Sequence, residues 1–113
     1  MVKSLNFNNV KKQFFAVTLA DEKNTVLMIG TPTKAIMDDL TVLQNSMNSV
    51  SDNENNNKAT DDLYSACARV MSRNKAGVKV TKEFLAEIFD FEDITIFFNA
   101  YMKFIDEVIS SKN

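Results

Sequence analysis

The sequence predicts an α+β domain: an N-terminal antiparallel β-meander of about three strands packed on about four helices, with helix dominant. Three observations carry that expectation. Up to Gly30 the apolar residues alternate with a period of two, as a half-buried strand requires. Beyond it they recur three and four residues apart, the spacing of one helix face. The chain then closes on a segment whose apolar residues cover more than a third of a helical circumference. With 113 residues, 45% hydrophobic and 25% charged, the composition is that of one ordinary globular domain, residues 1–113.

The strands are expected within about residues 4–30. "SLNFNN" and "KKQFFAVTLA" read as two strands around Asn8 and Asn9, because asparagine tolerates the positive φ of a hairpin tip. In the second strand Phe15, Val17 and Leu19 alternate with Phe14, Ala16 and Thr18. "DEKN" makes a polar turn and "TVLMIG" returns as the third strand. Phe14, Ala16, Val26 and Met28 fall outside the inward set, which implies a covering for that face beyond the local helices.

A first helix is expected over about 32–50, with Ile36, Leu40, Leu43, Met47 and Val50 on its apolar face. Thr31 suits its N-cap and Pro32 its first turn, where a missing N–H costs nothing. The polar run "SDNENNNK", residues 51–58, reads as a loop and as the segment best suited to disorder. A second helix follows over about 60–74, burying Leu63, Tyr64, Cys67, Val70 and Met71, with Gly77 suited to a left-handed position beyond its end. Thr81 caps a short helix over about 81–89 that carries Phe84, Leu85, Ile88 and Phe89. Asp90 caps the last helix, over about 91–110, with Ile94, Phe97, Phe98, Tyr101, Phe104, Ile105, Val108 and Ile109.

Several chemistries are excluded on residue type. The run from "TVLMIG" into "TPTKAIMDDL" has the outline of a phosphate loop, but such a loop needs two glycines four residues apart and Lys followed by Ser or Thr. Here there is one glycine, Pro32 removes a donor and Ala35 follows Lys34, so the segment is a strand-to-helix corner. The acid groups Asp38–Asp39, Asp61–Asp62 and Asp90/Glu92/Asp93 lack the alternating ligands and central glycine of a calcium loop. They read as caps and solvated faces, the last two groups answering helix dipoles. With no histidine in the chain, Cys67 on an apolar stripe is a small buried hydrophobe, and no enzyme, metal or cofactor is expected.

A net charge of −2 and the scattered Lys3, Lys11 and Lys12 argue against nucleic acid as a partner. Asn6, Asn8 and Asn9 interrupt any signal-peptide core, and no apolar run approaches the roughly 20 residues that span a bilayer, so no membrane is expected. One cysteine fits a reducing, cytoplasmic location.

The aromatic cluster "FLAEIFDFEDITIFFNAYMKFI" exceeds what a stripe of core residues needs. Aromatics and Met are favoured at protein interfaces, so the surplus is open to either core or partner. Periodicity nominates Phe97, Tyr101, Met102 and Phe104 on the last helix, with Met37 and Met47 on the first, as exposed partner-binding residues.

The order of parts also resembles the small tail assembly chaperones of long-tailed phages and prophages. The likeness rests on the short meander, the "TPTK" helix start, the polar mid-chain loop and the Thr81–Met102 series of Thr-x-x-x-Leu, Asp-Phe-x-Asp and Ala-Tyr-Met. It implies a non-catalytic protein of the bacterial host cytoplasm that coats the tape measure protein before the tail tube polymerises. In some members the tail tube protein is also a partner. Self-association of many members implies a homo-oligomer, and their longer frameshifted forms make the codons of "SSKN" worth reading. Two other classes remain: a small structural virion component, such as a head–tail or tail connector, and a regulatory or antitoxin-like protein of a mobile element.

Overall fold

A computed structural model describes residues 12–49 and 56–110. Two strands, β1 (Phe15–Thr18) and β2 (Val26–Ile29), precede four helices: α1 (Lys34–Ser49), α2 (Asn56–Met71), α3 (Lys82–Ile88) and α4 (Phe91–Ser110). The architecture is helix-dominated α+β, as expected. The first strand of the expected meander, "SLNFNN", lies outside the described residues, and so do residues 51–55 of the expected polar loop, whose remaining residues 56–58 belong to α2.

β1 and β2 pair antiparallel in the register Phe15↔Ile29 to Thr18↔Val26. The turn between them is held by Asp21, whose carboxylate accepts from the Thr25 amide at 2.9 Å and hydroxyl at 2.7 Å. Asn24 supplies the left-handed residue, φ 50°, a conformation asparagine tolerates better than most. Those hydrogen bonds, the Thr25 hydroxyl's first, hold the Asp21 carboxyl below its ordinary range. The alternation sends Leu27 and Ile29 into the core with Leu19, and Phe15 and Val17 pack against it. Ala16, Val26 and Met28 face outward and are exposed.

The other edge of β2 meets the α2–α3 connection. Ile29 bridges Asn74, the Gly30 amide donates to the Arg73 carbonyl at 3.0 Å, and the Lys75 amide donates to the Met28 carbonyl at 2.9 Å. Asn74 is buried, and its amide side chain is fully used. It donates to the Met71 and Val78 carbonyls and accepts from the Val78 amide. This network ends α2 at Met71, three residues before the expected end. Gly77, at φ 76°, completes the turn.

α2 is the hub, packing on α1, α3, α4 and β2. Leu63, Ala66, Cys67, Ala68, Val70 and Met71 are all buried, so two neighbouring stripes are covered at once. It begins at Asn56 rather than near Thr60. Periodicity misses those first residues because no large apolar side chain marks them before Leu63.

α1 begins at Lys34, and its cap is Thr33, whose hydroxyl accepts from the Ile36 amide at 3.3 Å. Thr31 and Pro32, expected as cap and first helical residue, therefore precede the helix. Ile36, Leu40 and Leu43 are buried, while Val50 lies outside the described residues. Thr81 caps α3, accepting from the Phe84 amide at 3.1 Å. Asp90 and Asp93 cap α4 reciprocally, each carboxylate accepting from the other's amide, so two orphan donors of the first turn are satisfied.

Candidate partner-binding surface

α4 has the most apolar face in the molecule, and its position decides what the chain can offer a partner. Ile94, Phe97, Phe98, Tyr101, Ile105 and Val108 are buried. Phe15 of β1 lies over this face, with ring centroids 6.3 Å from Phe97, 6.1 Å from Tyr101 and 5.4 Å from Phe104. Phe97 and Tyr101 stack at 5.9 Å. The Tyr101 hydroxyl donates to the Gly30 carbonyl at 2.8 Å, joining α4 to the end of the strand pair. Burial raises the Tyr101 pKa, and the Arg73 charge offsets this in part.

The expected exposure of Phe97 and Tyr101 is therefore corrected: both rings are core, 6% and 1% exposed. Met102 and Phe104 are half-buried and pack against that core, as does Met37 of α1. The side chain of Met47 lies outside the described residues. Helical spacing groups residues on one face, but it carries no information about which element covers that face. Here α2 packs on α4, and the Phe15 ring of β1 lies over Phe97, Tyr101 and Phe104.

What α4 leaves in solvent is a different set. Phe91, Ile96 and Ile109 are more than half exposed. Ile109, one of the apolar residues of the last helix, occurs in its last turn and at the edge of the buried face. Beside it runs a groove of about 320 Å³ between the start of α1 and the end of α4. Met37, Ile105, Val108 and Ile109 supply its apolar lining, together with Thr31, Pro32 and Thr33 and the charged Lys34 and Asp38. Those two charges pair across one helical turn at 2.9 Å. Met37 is the nominated residue that reaches this groove, and Ile109 a lining residue that was not nominated.

The corner after β2 has no phosphate cradle. The Gly30 amide is bonded to Arg73, Lys34 is paired with Asp38, and the Thr33 hydroxyl caps α1. Cys67 is fully buried, and burial pushes its thiol up to about 12; a thiol so protonated is a packing group and a poor nucleophile. Among the described residues no group of three His, Cys, Asp or Glu side chains is placed to hold a metal ion. No helix among them is long and apolar enough to cross a membrane.

Set against protein-family models, curated proteins and solved structures, the chain matches none. The reading of its function rests on the surface just described and on the resemblance of its sequence.

Proposed function

We propose that this is a non-catalytic binding protein, a tail assembly chaperone of a long-tailed phage or prophage that keeps the tape measure protein soluble in the host cytoplasm. The observation that carries the reading is the apolar groove between α1 and α4, bordered by the exposed Ile109. An extended helical client can lay an apolar face into such a groove, anchored at positions one turn apart. The net negative charge of the chain then helps keep the loaded complex dispersed. Cys67, the one thiol in the sequence, belongs to the core, where it serves packing.

The test is co-expression with the long, coiled-coil-rich reading frame expected immediately downstream. The wild-type chain should hold that product in the soluble fraction. Ile109→Lys, alone and with Met37→Gln, should lose most of that effect while keeping a wild-type circular dichroism spectrum. Unchanged solubilisation by folded variants would remove the groove from the mechanism. Mass spectrometry of purified virions separates the nearest rival, because a chaperone is absent from the finished particle and a connector stays in it.

A further inference from the structure

An antiparallel strand pair with one face on the core ordinarily turns polar side chains to water on the other. The outward face of β1 and β2 departs from that pattern. It carries Ala16 and Thr18 from β1 and Val26 and Met28 from β2, with Phe14 just before β1 in the same alternation. Val26 is 58% exposed and Met28 40%. The Phe14 ring lies against Gly30, where a β-carbon would meet it at 3.9 Å.

The flank of this face is basic. Ile29 bridges Asn74, so Lys75 stands next to Met28 on the outward side. Its ammonium reaches back to 5.7 Å from the centre of the Phe14 ring. Arg73 is exposed beside Gly30, with its Nε donating to the Thr31 carbonyl at 3.0 Å, and Lys12 is exposed two residues before Phe14. None of these three cations belongs to an ion pair among the described residues. The residues that alternation puts on the face include no acid. A chain of negative net charge therefore gathers positive charge around an exposed apolar face. From β1 across β2 to the bridged α2–α3 connection, two inter-strand spacings make the face about 10 Å wide, the diameter of one helix.

We propose that this face docks an acidic amphipathic helix of a partner protein. The apolar stripe of that helix lies on Phe14, Val26 and Met28, and its flanking carboxylates meet Lys12, Arg73 and Lys75. Charge complementarity selects the occupant, because a basic helix would set like charges against that rim. The strand pair then lies between two layers, its own core on one side and the partner's helix on the other. The groove beside α1 shares none of these residues, so the inference stands whether or not the groove binds a client.

Fluorescence anisotropy on the full chain tests it, with two labelled amphipathic peptides long enough to be helical, about 20 residues each. One carries a Leu stripe flanked by Glu, and its twin the same stripe flanked by Lys. An Ile109→Lys background keeps the groove out of the measurement. The Glu-flanked peptide should bind about tenfold more tightly than its twin, the reverse of what the negative net charge of the chain would select. Its affinity should fall about tenfold at roughly 500 mM salt. Lys75→Glu should reverse the preference, and Val26→Ser with Met28→Ser should abolish binding of both peptides, each with unchanged circular dichroism. A chain that holds neither peptide at millimolar concentration overturns the proposal, as does equal affinity for the two or a preference that ignores Lys75→Glu. Phosphatidylglycerol vesicles and single-stranded DNA should fail to displace the Glu-flanked peptide; displacement by either would make the face a general anion surface and overturn the assignment to an acidic helix.

Discussion

Tyr101 joins three parts of the molecule, so its replacement measures how firmly the strand pair is fastened to α4. Tyr101→Phe keeps the ring and removes the hydroxyl that donates to Gly30 at 2.8 Å. A partly buried carbonyl that loses its partner costs about 1–2 kcal/mol. Tyr101→Ala also deletes a ring packed on Phe15, Phe97 and Phe104 and leaves a cavity, a change that costs about 3–5 kcal/mol. In a chain of this length each kcal/mol moves the melting midpoint by about 4 °C, so the expected losses are about 4–8 °C and about 12–20 °C. Thermal and urea melts followed by circular dichroism read both variants, with the urea slope expected to stay constant. If Tyr101→Ala melts within about 2 °C of wild type, the ring is not a core group. The packing of α4 against Phe15 and the core would then be refuted.

Three further outcomes follow from the same packing. Thr33→Ala should destabilise by about 1 kcal/mol in urea melts, and Thr31→Ala by no more than a few tenths, because Thr33 caps α1. Leu27→Ala should cost about 2–5 kcal/mol, whereas Met28→Lys on the outward face of β2 should stay within about 0.5 kcal/mol; equal effects would overturn the facing of the strand. Stability should also fall in strong alkali. The folded Cys67 thiol titrates near 12, against about 9 when unfolded, so the native state keeps a proton that the unfolded chain releases. That contribution is complete below about pH 9 and is lost as pH rises from about 9 to 12. The raised phenols of Tyr64 and Tyr101 act in the same direction from their own, higher onset. Cys67→Ala should make the first part of the decline shallower in melts recorded across that range.

The parts of the fold legible in the sequence are those set by local rules. The alternation in β1 and β2, the helical stripes of α1 and α2, the caps at Thr81 and Asp90 and the left-handed Gly77 each depend on a few neighbouring residues. The misjudged boundaries have local causes as well. Thr31 and Thr33 are both competent caps flanking Pro32, and their spacing does not choose between them. The early start of α2 is a polar turn carried into helix by the apolar stripe that follows. The candidate surface was less legible, because exposure is a relation between elements. Met37 reaches the groove, but Phe97 and Tyr101 do not, and Ile109 and Phe91 were not nominated.

By itself, then, the sequence determined the class of the fold, the order and approximate extent of its described elements, the inertness of Cys67 and the failure of the phosphate-loop outline. Periodicity and capping are properties of short segments, and they survive whatever the rest of the chain does. Only the tertiary structure decided that α2 and the Phe15 ring of β1 cover the aromatic face of α4, that Asn74 ties the α2–α3 connection to β2, and that the apolar surface left over borders the groove beside α1. Those outcomes depend on which faces meet across long separations, and no spacing along the chain encodes the meeting.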